Sequence, residues 1–220
     1  MGIGWAAAAA LGIYVGATVL GGLLDPTYSH VGMHISELTS SHAPDRALLS
    51  GLYIGYNAAL LALGLALLTR VARSGWLTAT AGLLVATAVT GVLLVTAFPQ
   101  DSYGHAATVA GTVHIALAGV AALASTLTVV AAGRAFRRDP GWEQLAGIST
   151  VIALVILATG FAGAVGTALE SPVMGLLVRL PIGAFLAWLA AVAWHAFRPV
   201  PGRAAATGAR EKRSARAALH

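Results

Sequence analysis

The chain has 220 residues but no cysteine, a single lysine and only eight acidic residues. Without cysteine there is no disulfide, no thiolate ligand for a metal and no cysteine nucleophile, which excludes several classes of enzyme. Charged residues make up 10% of the chain, whereas soluble domains contain about 25%. A surface with so few charges suits lipid better than water, so we expect most of the chain to lie in a membrane.

Hydrophobic residues make up 58% of the chain, and they are grouped in long runs. A bilayer core of about 30 Å requires ~20 apolar residues in each helix that crosses it. Six runs are long enough, which predicts an all-α transmembrane bundle of six helices within a single domain, residues 1–198. The expected spans are residues 5–24, 47–69, 76–98, 106–133, 145–169 and 177–197.

Basic residues indicate how the helices are oriented. Eleven of the 13 fall in three segments, and the positive-inside rule places such segments in the cytoplasm, together with both termini. The outward segments then have a net charge of −3. Residues 199–220 are basic and contain few large apolar residues, which predicts a disordered cytoplasmic tail near anionic lipids. The three basic segments contain Arg70, Arg73; Arg134, Arg137, Arg138; and Arg198, Arg203, Arg210, Lys212, Arg213, Arg216.

This distribution favours membrane lipids, not nucleic acid, as the partner of the positive charge. The dominance of arginine, alanine and glycine is typical of GC-rich bacterial genomes. We therefore expect a multi-pass protein of the bacterial cytoplasmic membrane.

The outward segment 25–46 gathers polar residues in an otherwise apolar chain. If residues 28–41 form a helix, His30, His34 and Glu37 lie on one face of it. Imidazole and carboxylate groups suit zinc and similar divalent ions, so this pattern predicts a metal site. The alternative is an irregular loop whose histidines are simply solvated.

A second set of candidates surrounds the predicted loop before the fourth helix. Asp101 and His105 are four residues apart, and His114 follows within the helix. Nine residues of helix turn through about 900°, so His105 can share a metal or catalytic site with His114 only if it lies outside the helix. The structural alternatives are an N-cap at Asp101 or Ser102, and a hydrogen bond from His114 to a neighbouring helix.

Three further polar positions lie near the predicted spans. Tyr53 and Asn57 share one face of the second helix, which predicts a hydrogen bond between helices or a contact with substrate. Arg179 lies near the outer end of the sixth helix, where a charge is costly unless it is paired. We expect an ion pair between Arg179 and Glu170.

Several short motifs follow one another along the chain, namely Asp25-Pro26, Ile35 to Leu38, Phe98 to Asp101 with His105 and His114, and Leu176 to Leu180 with Trp188. Their order resembles a bacterial family of six-helix membrane proteins of unknown function. That family is distantly similar to the eukaryotic Frag1 and DRAM membrane proteins. The resemblance implies the six-helix topology and a site among the outer loops, but no activity. Val178 stands where the family usually has an acid, so the resemblance does not supply a partner for Arg179.

Three hypotheses about function remain open. The first is an enzyme that acts on a lipophilic or amphiphilic substrate, with or without a divalent metal such as zinc. Its acid and base groups are Glu37, Asp101 and His114, and its metal ligands are His30, His34 and His105. The second is a non-catalytic membrane partner or assembly protein. The third is a proton-coupled transporter, for which the helix interiors offer little beyond Asn57 and His114.

Overall fold

The computed structural model describes residues 2–70, 74–139 and 141–198. Over these residues the chain forms six α-helices, which confirms the predicted all-α fold. Each helix is long and apolar enough to span a bilayer. The predicted tail, residues 199–220, lies outside the described residues. The helices are α1 (Ile3–Leu24), α2 (Arg46–Arg70), α3 (Gly75–Thr96), α4 (Val109–Phe136), α5 (Glu143–Ala168) and α6 (Met174–Phe197).

The six helices form a closed ring. Each helix packs against the next one in the chain, and α6 packs against α1. Because consecutive helices run antiparallel, the loops 25–45, 97–108 and 169–173 meet at one end of the ring. We call this the histidine end, and it is the end predicted to face outwards. The opposite end, which carries Arg134, Arg137 and Arg198, is called the arginine end.

The interior changes character along the bundle. Towards the arginine end it is apolar and includes the fully buried Leu63, Leu84 and Trp188. Towards the histidine end, tyrosines occupy the contact between α1 and α2, where the Tyr14 ring packs edge-on against Tyr53 at 5.4 Å. Small buried polar side chains occur at both levels of the bundle, with Asn57 and Thr90 nearer the histidine end and Thr80 and Ser149 nearer the arginine end.

Helix α4 begins three residues later than predicted. Thr108 is its N-cap, and the Thr108 hydroxyl accepts a hydrogen bond from the Gly111 backbone N–H at 3.1 Å. Asp101 and Ser102 were the predicted caps, and both lie in the loop before it. The sequence did contain the correct signal, because Thr108 directly precedes an apolar run.

Candidate functional site

The segment 28–41 does not form a continuous helix, so of the two alternatives left open by the sequence it is the irregular one that the structure shows. Only Ile35–Thr39 is helical, as a 3-10 turn, and His34 precedes it with an extended backbone. The His30 ring lies against Gly22 of α1, whereas His34 Nε2 is 3.3 Å from Thr167 Oγ1 of α5. The condition for placing His30, His34 and Glu37 on one helix face is therefore not met.

Contacts with α6 explain why this segment is irregular. Gly175, in the first turn of α6, lies against the backbone of Val31 and Met33, so close that a Cβ atom there would be 2.3 Å from the Met33 carbonyl oxygen. The Leu176 N–H donates a hydrogen bond to the Val31 carbonyl oxygen at 3.0 Å. This hydrogen bond and the close contact at Gly175 hold residues 31–33 across the start of α6, where a regular helix would not fit.

Arg179 of α6 binds this loop from the side that faces the helices. Its Nη1 donates to the carbonyl oxygens of Met33 at 2.9 Å and Gly175 at 2.6 Å, and its Nη2 donates to Tyr28 Oη. His30 Nδ1 is 3.5 Å from the same Nη2. We call Arg179 and these four partners the Arg179 cluster.

The predicted ion pair between Arg179 and Glu170 is replaced by these bonds, none of which goes to a carboxylate. Glu170 is exposed just beyond the end of α5, in a left-handed backbone conformation with φ 49°. That turn leaves its carboxylate at the surface, while Arg179 lies beneath the loop that covers the start of α6. The Arg179 Nε–H is buried and has no hydrogen-bond partner among the described residues.

Glu37 belongs to a second hydrogen-bonded group, which we call the Glu37 cluster. Gln100 Nε2 donates to Glu37 Oε1, and the Tyr103 backbone N–H donates to Glu37 Oε2 at 3.2 Å. The Ser36 hydroxyl in turn donates to Gln100 Oε1. Burial raises the pKa of Glu37, and the hydrogen bonds from Tyr103 and Gln100 oppose this effect only in part. Glu37 is therefore suited to hold and release a proton.

The pKa of Asp101 is shifted in the opposite direction from that of Glu37. Its two carboxylate oxygens accept hydrogen bonds from the Thr108 hydroxyl at 2.7 Å and the Thr108 N–H at 2.8 Å. These bonds lower the pKa of Asp101. Gly111 is needed here, since a Cβ atom at that position would be 1.9 Å from Asp101 Oδ2. Asp101 thus stays ionised and supports the N-cap of α4.

His114 makes the structural bond that was one of its two predicted roles. It is buried in α4, and its Nδ1 donates to the Phe98 carbonyl oxygen at 2.7 Å, just beyond the end of α3. A carbonyl oxygen can only accept, so Nδ1 carries the hydrogen of this bond.

The predicted metal ligands do not come together. Among the described residues, no three His, Asp or Glu side chains lie close enough to share an ion. His30 lies in the Arg179 cluster, and His34 contacts α5. His105 instead stacks on His42, with ring centroids 4.3 Å apart. These positions do not fit a shared metal site, and we derive no chemistry through one.

Burial and the nearby Arg179 charge also set the state of His34. Burial lowers its pKa, and the electrostatic effects of Arg179 and His114 act in the same direction. The ring is therefore neutral at pH 7.

Tyr53 and Asn57 differ in what they contact. Tyr53 Oη is 3.0 Å from Thr18 Oγ1, so it links α2 to α1 as predicted for a structural pair. Asn57 Nδ2 donates to the Tyr53 carbonyl oxygen within its own helix at 2.7 Å, whereas an interhelical bond was predicted. Its Oδ1 packs on Gly91 of α3 and has no hydrogen-bond partner in the described part of the chain.

Sequence reasoning missed a serine pair that joins two loops. Ser102 Oγ is 2.9 Å from Ser40 Oγ, accepts a hydrogen bond from the His42 N–H at 3.0 Å, and is 3.3 Å from His42 Nδ1. These residues are about 60 positions apart in the chain, and no spacing rule connects them. Tyr28 and Gln100 were missed for the same reason.

We expect the Glu37 carboxyl to titrate above the ordinary glutamate value of 4.5. Because the folded state holds this proton more tightly than the unfolded chain does, Glu37 contributes stability at low pH that is lost as the pH rises through its raised pKa. Infrared difference spectroscopy can follow the protonated carboxyl band, and Glu37→Gln assigns the band. A midpoint at or below 4.5 would contradict the burial argument.

A model of a protein family described as "Protein of unknown function (DUF998)" matches residues 8–195, which include all six helices in whole or in large part. The chain belongs to this family. The matched range contains every residue of the Arg179 and Glu37 clusters, so both belong to the part of the chain that defines the family. No curated protein and no solved structure matches the chain. The likeness to Frag1 and DRAM and the bacterial origin stay predictions.

Proposed function

We propose that this six-helix membrane protein is an enzyme that acts on an amphiphilic molecule with an anionic head group, bound at the histidine end. One observation carries the proposal. None of the hydrogen bonds that Arg179 makes among the described residues goes to a carboxylate, and its Nε–H is buried without a partner. A cation near the membrane boundary is costly when no anion balances it.

An anionic head group would supply the missing charge. A phosphate or carboxylate binds guanidinium through short, charge-assisted hydrogen bonds, and Nε–H is the N–H group of Arg179 that has no partner among the described residues. His30 lies beside the same guanidinium and can also donate to an anion, whereas the Tyr28 hydroxyl accepts from Arg179 and donates to the His34 carbonyl oxygen at 3.2 Å. Tyr14 and Tyr53 lie on the bundle side of this cluster, where the apolar part of the substrate would begin.

The two carboxyl groups at this end suit acid and base roles. Their environments move their pKa values apart, with Glu37 raised and Asp101 lowered, which is the arrangement found where one group donates a proton and the other stays charged. We assign Glu37 as the proton donor. His114 offers Nε2 as an acceptor, because Nδ1 is engaged by Phe98. Asp101 positions the start of α4.

A specific observation also favours the non-catalytic alternative. Asp101, His114 and Arg179 all bind backbone groups, as residues that hold loops in place do. In that reading the histidine end is a rigid surface for a membrane partner. The enzyme and the non-catalytic partner predict different outcomes in the lipid-conversion test described below.

The test uses the purified full chain in the neutral detergent dodecyl maltoside, with dodecyl phosphate as the probe. Dodecyl phosphate should raise the melting temperature of the wild-type protein, and Arg179→Gln should weaken binding at least ~10-fold, since a charged hydrogen bond contributes about 1.5–3 kcal/mol. Arg46→Gln is the matched control, because it removes a positive charge from the same end. Equal loss in both variants would contradict a specific head-group site.

Catalysis is tested with a bacterial lipid extract and mass spectrometry of the products. Glu37→Gln should reduce turnover at least ~100-fold, because a positioned general acid typically contributes that much. Glu170→Gln, which changes an exposed carboxylate at the same end, should retain the wild-type rate. Binding of dodecyl phosphate without conversion of any lipid would support the non-catalytic alternative.

A further inference from the structure

A groove of about 190 Å³ runs along the contact between α4 and α5, on the half of the bundle nearest the arginine end. It is far from the site proposed above and shares no residue with it. Its character changes along its length, from two arginines at the mouth to aliphatic side chains further in. The residues that matter for the argument are Val130, Arg134, Arg137, Thr150, Leu154 and Leu157.

The mouth of the groove is positively charged, and one of its two arginines is held by a hydrogen bond. Arg137 Nη2 donates to Thr150 Oγ1 at 3.2 Å across the two helices. The Thr150 hydroxyl in turn donates to the Ala146 carbonyl oxygen at 3.0 Å, so its lone pair is directed at the arginine. This bond uses one N–H of the guanidinium and leaves others for a ligand. The described residues that line the groove include two arginines and no acid.

The rest of the groove is apolar and runs towards the middle of the membrane. Val130 lies seven residues before Arg137, and Leu157 lies seven residues after Thr150, so each is about 10 Å deeper at 1.5 Å per residue. Leu154 is 63% exposed and Leu157 is 54% exposed. Their side chains are therefore open to a hydrocarbon chain that lies in the groove.

Aromatic residues mark the level of the membrane surface at this end. Trp194 is 64% exposed and the Arg198 guanidinium lies 5.1 Å above its ring, while Arg134 lies 4.8 Å above the ring of Trp76. Tryptophan and arginine prefer the interface between head groups and hydrocarbon. Arg134 and Arg137 therefore lie at the depth of lipid phosphates, and the aliphatic part of the groove lies at the depth of acyl chains.

We propose that this groove binds one anionic phospholipid of the leaflet at the arginine end. Its phosphate lies on Arg137 and Arg134, and one acyl chain lies against Val130, Leu154 and Leu157. Basic pockets between transmembrane helices bind anionic lipid head groups in this way. The order of charge and apolar surface in the groove matches the order within a phospholipid, and a free phosphate would use only the mouth.

The test is native mass spectrometry of the full chain, released from dodecyl maltoside that contains equal amounts of phosphatidylglycerol and phosphatidylcholine. The wild-type protein should retain one phosphatidylglycerol with at least ~10-fold preference. Arg137→Gln should reduce the preference at least ~5-fold, and Arg134→Gln should reduce it in the same direction. Both side chains are exposed, so the apolar core is unchanged, and circular dichroism of each variant verifies its helix content.

Arg138→Gln is the matched control, because it removes the same charge from the next residue, which does not line the groove. It should retain the wild-type preference, and added inorganic phosphate should not displace the lipid. Equal loss in Arg137→Gln and Arg138→Gln would overturn the proposal, since it would indicate a general effect of charge. Equal retention of both lipids by the wild-type protein, or displacement by phosphate alone, would overturn it as well.

Discussion

Replacing Gly175 by alanine is expected to lower the free energy of unfolding by about 3 kcal/mol, because the new methyl group would overlap atoms that cannot move aside cheaply. The atoms it meets belong to the backbone, namely the carbonyl oxygens of Met33 and Val31 and the Met33 nitrogen, all within 2.8 Å of the built Cβ position. The loop would have to leave α6, and Arg179 would then lose its partners on that loop, Met33, Tyr28 and His30. Thermal unfolding in detergent micelles, followed by circular dichroism, measures the effect.

Gly183→Ala provides the control for this prediction. Gly183 lies in the same helix, and nothing lies within 4 Å of the position that its Cβ would occupy. The helix propensity of alanine should make this variant slightly more stable than the wild type. If Gly175→Ala were as stable as Gly183→Ala, the close contact between the loop and α6 would be wrong.

Replacing Trp188 by alanine should cost about 4 kcal/mol, because it leaves a large cavity in the core. Trp188 is fully buried between α5 and α6, its ring stacks on Phe185 at 5.7 Å, and its Nε1–H donates to Ser149 Oγ at 3.0 Å. The variant loses this packing and leaves the Ser149 hydroxyl without its donor. The same unfolding measurement applies.

Trp194→Ala is the matched control for Trp188→Ala. Trp194 lies on the same helix but is mostly exposed, and its interaction with Arg198 lies at the membrane surface. We expect a loss below about 1 kcal/mol, within the range of an exposed cation–π contact. Similar losses in the two variants would mean that Trp188 does not anchor the contact between α5 and α6.

The helices could be predicted from the sequence because their signal is local. Runs of ~20 apolar residues require neither a partner nor a register to be recognised. The residues at which the helices begin and end were harder to predict. The start of α4 depends on hydrogen bonds from Thr108 to the Asp101 carboxylate, seven positions earlier in the chain. The conformation of the loop 25–45 was the hardest to predict, because placing His30, His34 and Glu37 on one helix face assumes a regular backbone.

The candidate site was located in the right region, but its partners were not predicted. Charge alone suggested that Arg179 needs Glu170, whereas in the structure carbonyl oxygens and Tyr28 bind it. Backbone acceptors are present at every residue and leave no trace in the sequence, so they cannot be anticipated from composition. Gln100 was missed for a related reason, since its contact with Glu37 links two loops that only the closed ring brings together.

The amide of Gln100 gives the Glu37 cluster a direction. An amide has one end that donates and one that accepts, and here the Ser36 hydroxyl donates to the accepting end while the donating end points to Glu37. When Glu37 is protonated and its O–H donates a hydrogen bond to Gln100, the amide must turn by half a rotation to present its oxygen, and Ser36 must then accept where it had donated. The ionisation of one carboxyl group would therefore be read out as the orientation of a hydroxyl two bonds away, without any movement of a helix.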